Sequence, residues 1–78
     1  MLSSDQIKNA VSGFLNVPVE RLTDSSVLTD LVVESFLLVE MVMFLQDEFT
    51  VRIIQEDLKT VHTVGDLVKT FQEKDKQK

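Results

Sequence analysis

Cysteine is absent from the 78-residue chain, and histidine occurs once, at His62. Without a thiol there is no disulfide framework, no thiolate nucleophile and almost no route to a zinc site. A single histidine excludes a histidine metal cluster. Serine hydrolysis is excluded as well, because no G-x-S-x-G occurs and no strand is expected to carry a nucleophile elbow. The stretch MLSSDQIKNA lacks a basic region followed by an apolar one, so no signal peptide is expected. The apolar run over 36–45 is interrupted by Glu40 and is shorter than the roughly 20 residues that span a bilayer. A soluble, cytoplasmic chain without a membrane partner is expected.

Basic residues are missing from one long segment. Between Leu22 and Val51 stand six acids (Asp24, Asp30, Glu34, Glu40, Asp47 and Glu48) and no lysine or arginine. The rest of the chain holds seven acids and eight basic residues, so the net charge of −5 resides in this segment. Nucleic acid is a poor partner for such a surface, since binding it requires cations that displace counterions, and no nucleic-acid partner is expected. A basic protein surface is the complementary partner. Size narrows the reading further. A domain of this length buries only roughly 60% of the surface its unfolded chain exposes, which leaves little room for a catalytic cleft and favours a binding or carrier module.

What is present points to an all-α fold, a small bundle of three main helices plus one short helix. Ser3 with Gln6 forms a capping-box pattern, and Ile7, Ala10, Val11, Phe14 and Leu15 recur at helical spacing, predicting a helix over about 4–15. Asn16-Val17-Pro18 ends it, because a residue before proline is pushed out of helical angles. Val19-Glu20-Arg21-Leu22 adds a short turn. TDSSVLTD reads as a long connection pinned to the core by Val27, Leu28 and Leu31. A central helix covers about 35–48, and a short one lies around Gln55-Glu56-Asp57. Thr63 with Asp66 caps a last helix whose apolar positions are Val64, Leu67, Val68 and Phe71. The folded domain is expected to span 1–72, with 73–78 a charged, solvated tail. His62 receives no function.

At 100° per residue the central helix separates into two faces. Leu38, Met41, Val42, Leu45 and Phe49 share an arc of about 100°, wide enough for the core. The opposite arc carries Phe36, Val39, Glu40, Met43 and Asp47, with Leu37, Phe44 and Glu48 at its edges. Any one of these apolar residues could be further core. Interleaved with acids that cannot be buried unpaired, the set reads instead as a docking face for a transient partner. Ser35 opens this helix, where a plain N-cap is the default role for serine.

The stretch TDLVVESF, followed by Glu40 and QDEF, resembles the acyl carrier protein family. In that family an acid-serine-apolar triplet opens the second main helix. Asp30-Leu31, Glu40, Leu45, Phe49 and Thr63-Val64-Gly65-Asp66-Leu67 all stand at matching positions, so the similarity covers nearly the whole chain. The chain departs from the pattern at Val32 (usually glycine), Glu34 (usually aspartate), Ile54 (often proline), and Leu37 and Leu38 (commonly polar).

The resemblance implies a non-catalytic carrier holding acyl or aminoacyl groups as thioesters on 4′-phosphopantetheine at Ser35. Glu34, Glu40, Asp47 and Glu48 would supply charge for partner recognition, and Phe36, Leu37 and Met43 would supply contact. The implied partners are a phosphopantetheinyl transferase, a loading ligase or acyltransferase, and ketosynthase-type enzymes with basic docking surfaces. The carrier is expected to be a monomer. Ser-Phe and the apolar central helix look more like stand-alone aminoacyl, polyketide or nonribosomal peptide carriers than like fatty-acid carriers, the alternative within this reading. The alternative outside it is a helical adaptor that docks one partner through the central helix, with Ser35 only a cap.

Overall fold

A computed structural model describes residues 2–32 and 34–77. Helix α1 (Ser4–Leu15) begins at the expected box: Ser3 Oγ accepts the Gln6 N–H at 3.1 Å, and Gln6 Oε1 accepts the Ser3 N–H at 2.9 Å. Its end is set by Asn16, which adopts a left-handed φ of 58° and returns its N–H to the Ser12 carbonyl. Pro18 lies beyond that cap. The left-handed turn, which asparagine tolerates well, therefore stops α1 ahead of the proline. A 3-10 turn follows at Val19–Arg21.

The connection expected to be irregular contains a single helical turn, α2 (Leu28–Leu31). Four residues are too few to display a helical period, so this turn is invisible in the sequence pattern. Leu28 is buried and Leu31 half-buried, as expected, but Val27 is 40% exposed. Backbone bonds hold that part of the segment instead. Val27 bridges Thr63 in antiparallel fashion, the Leu28 N–H donates to the His62 carbonyl, and the Val64 and Gly65 N–H groups donate to the Ser26 and Asp24 carbonyls, each at 2.9 Å. This strap needs close approach. A β-carbon on Gly65 would stand 2.8 Å from the Asp24 carbonyl oxygen, a distance only glycine avoids.

Helix α3 (Ser35–Phe49) closes at Thr50, which adopts φ 53°. The Thr50 and Val51 N–H groups both donate to the Gln46 carbonyl, and Gln46 Oε1 accepts the Ile53 N–H at 2.9 Å. Helix α4 (Gln55–Leu58) is the expected short one. Helix α5 (Val64–Lys76) starts with a full capping box between Thr63 and Asp66. It then runs through most of the segment expected to be a solvated tail. Lys74 Nζ lies 3.2 Å from Asp57 Oδ2, Asp75 Oδ2 accepts the Leu2 N–H at 3.2 Å, and Gln72 Nε2 donates to the Leu2 carbonyl at 3.3 Å. These tertiary contacts keep a charged stretch helical, which its composition alone does not reveal. Lys78 of that segment lies outside the described residues.

The architecture is all-α: α1, α3 and α5 are the main helices and α2 and α4 the short ones. Helix α1 packs against both α3 and α5. The core gathers Ile7 and Val11 from α1, Met41, Val42 and Leu45 from α3, and Val64, Leu67, Val68 and Phe71 from α5. Leu22, Leu28, Val51 and Ile53 close it from the connections. No helix among the described residues is long and apolar enough to cross a membrane.

Candidate functional site

The head of α3 is built differently from the heads of α1 and α5. Its N-cap is Glu34, in an extended conformation and without a side-chain cap bond. Ser35 is the first helical residue. Both are exposed, and among the described residues no hydrogen bond is found for the Ser35 hydroxyl. The plain-cap role for Ser35 therefore does not hold. Capping requires a residue just outside the helix whose oxygen reaches the second or third N–H within it, and Ser35 stands one position too late. The Leu37 N–H donates to the Glu34 carbonyl at 3.1 Å, but no side chain caps the first turn of α3, and a helix terminus of this kind favours an anion.

The two faces of α3 fall where the helical period places them. Met41, Val42 and Leu45 are buried, and Leu38 and Phe49 are half-buried. On the other side Phe36 is 56% exposed and Met43 59% exposed, with Glu40, Asp47 and Glu48 also exposed. Among the described residues, neither Glu34 nor any of these three acids joins a salt bridge; the two pairs formed are Lys8–Asp24 and Lys74–Asp57. Their charge is thus uncompensated at the surface.

Leu37 is set apart from the residues it was grouped with. It is half-buried and lines a hollow with Phe14, Leu15, Leu31, Val32 and Glu34, on the α1 side of α3. Val39, on the outward arc as expected, is about half exposed, and Ile54, also about half exposed, extends the apolar outer surface beyond that arc. Val39 was legible on the helical wheel beside Phe36 and Met43. Ile54 carried only its departure from proline as a signal. Phe44, 40% exposed, places its ring centroid 5.4 Å from that of Phe14 at 36°.

Residues 5–71 match the family model described as a phosphopantetheine attachment site. The chain is 35% identical over 75 residues to the acyl carrier proteins of two Chlamydia trachomatis strains, serovars D and A, covering 95% of this chain and 97% of each relative. It is 34% identical over 73 residues to the acyl carrier protein of Buchnera aphidicola, covering 92% of both. The chain belongs to the acyl carrier protein family.

Acyl carrier proteins are non-catalytic and bear 4′-phosphopantetheine on a serine. They serve a phosphopantetheinyl transferase and acyl-handling enzymes. This carrier's residues fit the group. An exposed hydroxyl at an uncapped helix N-terminus can be reached by a transferase, and the helix favours the phosphodiester that attachment creates. Glu34 opposes that charge locally.

Proposed function

We propose that Ser35 bears the 4′-phosphopantetheine arm and that the outward face of α3 docks the enzymes that load and unload it. The observation that carries this is the state of the serines within the matched segment. Ser12 donates to the Val17 carbonyl, and Ser25 and Ser26 are tied to Thr23, whereas Ser35 is exposed and uncommitted. In the transfer, the Ser35 oxygen attacks the pantetheine-side phosphorus of coenzyme A. A new O–P bond forms as the P–O bond to the departing adenosine 3′,5′-bisphosphate breaks, and the serine proton passes to a base of the transferase. The attached arm supplies the thiol this cysteine-free chain lacks, and with it a thioester to an acyl or aminoacyl group.

Glu34, Glu40, Asp47 and Glu48 steer basic partner surfaces, while Phe36 and Met43 make the apolar contact, with Leu37 beside them. The partners are a transferase, a loading ligase or acyltransferase, and thioester-using enzymes such as ketosynthases, acting in the cytoplasm. The extent of apolar surface on α3 supports specialised polyketide or peptide assembly over fatty-acid synthesis as the pathway served.

Intact mass before and after incubation with coenzyme A and a broad-specificity phosphopantetheinyl transferase tests the site. One added phosphopantetheine is expected on the wild type and none on Ser35→Ala. Addition to the variant would remove Ser35 from the role. For the pathway, the group released with the arm from protein isolated in its native host is decisive: a straight saturated chain would return the carrier to fatty-acid synthesis.

A further inference from the structure

Beyond the end of α3 the side chains alternate in exposure. Val51 and Ile53 are buried, whereas Arg52 and Ile54 are exposed. That alternation is pinned by the helix end. Thr50 turns the chain through its left-handed φ of 53°, and Gln46 Oε1 accepts the Ile53 N–H at 2.9 Å, holding the segment against the last turns of α3. Reversing it would expose two apolar side chains and bury a charge, so Arg52 is kept outward. There it lines one open hollow with Gln46, Asp47 and Thr50. The cation and the Asp47 carboxylate share this hollow without closing into a pair, and among the described residues Arg52 joins no salt bridge.

Arg52 is the first basic residue after Arg21. The outward face of α3 therefore begins among acids alone, at Glu34 and Glu40, and ends beside a cation. Helix α3 has 15 residues, which at 1.5 Å per residue puts its two ends about 20 Å apart. The screening length at physiological salt is roughly 8 Å. Arg52 thus leaves the charge near Ser35 intact and acts only on what faces the far end of the helix. A basic surface long enough to lie along the whole of α3 is attracted at one end and meets a like charge at the other. Like charges set opposite one another are a means of rejecting a partner.

We infer that Arg52 is a specificity-determining residue of the docking face, which turns away enzymes whose basic surface reaches the end of α3. The partner it fits is basic against the first turns of α3 and carries no cation opposite Arg52. This rests on the outward face of α3 being the docking face. Such a residue keeps a carrier for specialised assembly apart from enzymes that read an unbroken acid face.

The test titrates the full, unmodified chain, labelled for amide detection, with a malonyl transferase of fatty-acid synthesis that has a basic docking surface. Wild type, Arg52→Gln, Arg52→Glu and Glu40→Lys are compared at low and high ionic strength, with a thermal melt of each. Arg52→Glu is expected to bind several-fold more tightly than wild type and Arg52→Gln to fall between them. Both gains should shrink at high salt, with melting unchanged, and amide shifts should spread to residues 50–54. Glu40→Lys should bind more weakly. Equal or weaker binding by the two Arg52 variants, or a gain that persists at high salt, would overturn the role of Arg52. With Glu40→Lys still weakened, the docking face itself would stand. No binding by any form, or no effect of Glu40→Lys, would overturn the docking face and the role of Arg52 together.

Discussion

Ser35 does almost nothing for the fold, and that is informative about it. Its hydroxyl is exposed and caps no N–H group, so Ser35→Ala is expected to change unfolding free energy by no more than about 0.5 kcal/mol. The about 1 kcal/mol typical of a lost N-cap serine should not appear in urea melts of the variant, although phosphopantetheine addition is abolished. A loss of that size would show a capping bond in solution. Glu40 has the same character. It is exposed and outside any salt bridge among the described residues, so Glu40→Lys should leave the melt within about 0.5 kcal/mol. Its effect belongs to encounter with basic partners: a several-fold fall in transferase kcat/KM at low ionic strength, shrinking as salt shortens the screening length toward roughly 8 Å. Helicity falling in step with turnover would contradict that division.

At the scale of elements, the ends of helices carry much of the specificity. Adding a β-carbon at Gly65 places it 2.8 Å from a backbone oxygen that cannot swing away as a flexible side chain would. Gly65→Ala should therefore destabilise the protein by about 1–3 kcal/mol in denaturant melts, as overpacking does, despite alanine's better helix propensity. The capping carboxylates set an acid limit. Asp66 accepts the N–H groups of His62 and Thr63, and Asp57 accepts that of Ile54 with Lys74 beside it, which hold both below the ordinary carboxylate value of 3.8. A lowered folded pKa gives stability that is fully present above about pH 4 and is lost as pH falls through the folded value. Melting temperature should thus decline from about pH 4 downward, and less steeply in Asp66→Asn; an unchanged slope would mean that the Asp66 bonds are not kept in solution. Much of this was readable beforehand. α1 and α5 announce themselves because a capping box and an apolar repeat are local in sequence. The strap through Gly65 and the Lys74–Asp57 pair were not readable, since they join segments far apart along the chain. The same distinction governs the site. Helical period turns the spacing of Phe36, Glu40, Met43 and Asp47 into a direction, whereas the turning of Leu37 toward Phe14 depends on where α1 lies.

Across the whole molecule, charge and packing are divided between different faces. The segment without lysine or arginine carries the serine and the outward acids. The basic residues lie outside it in sequence, and among the described residues Lys8 alone of them pairs back onto one of its acids, Asp24. The strap between the Asp24–Leu28 segment and the start of α5 has a further consequence. Backbone bonds that join two segments break together, so these segments form one cooperative unit in the native state. Amide protons at Leu28, Val64 and Gly65 should exchange with solvent through a single shared opening and at similar free energies. Helix α4, with only one turn and no buried residue, should open on its own far more often. Along the chain the strapped segment precedes the helix that Ser35 opens and α4 follows it, so local breathing of this carrier should be directional.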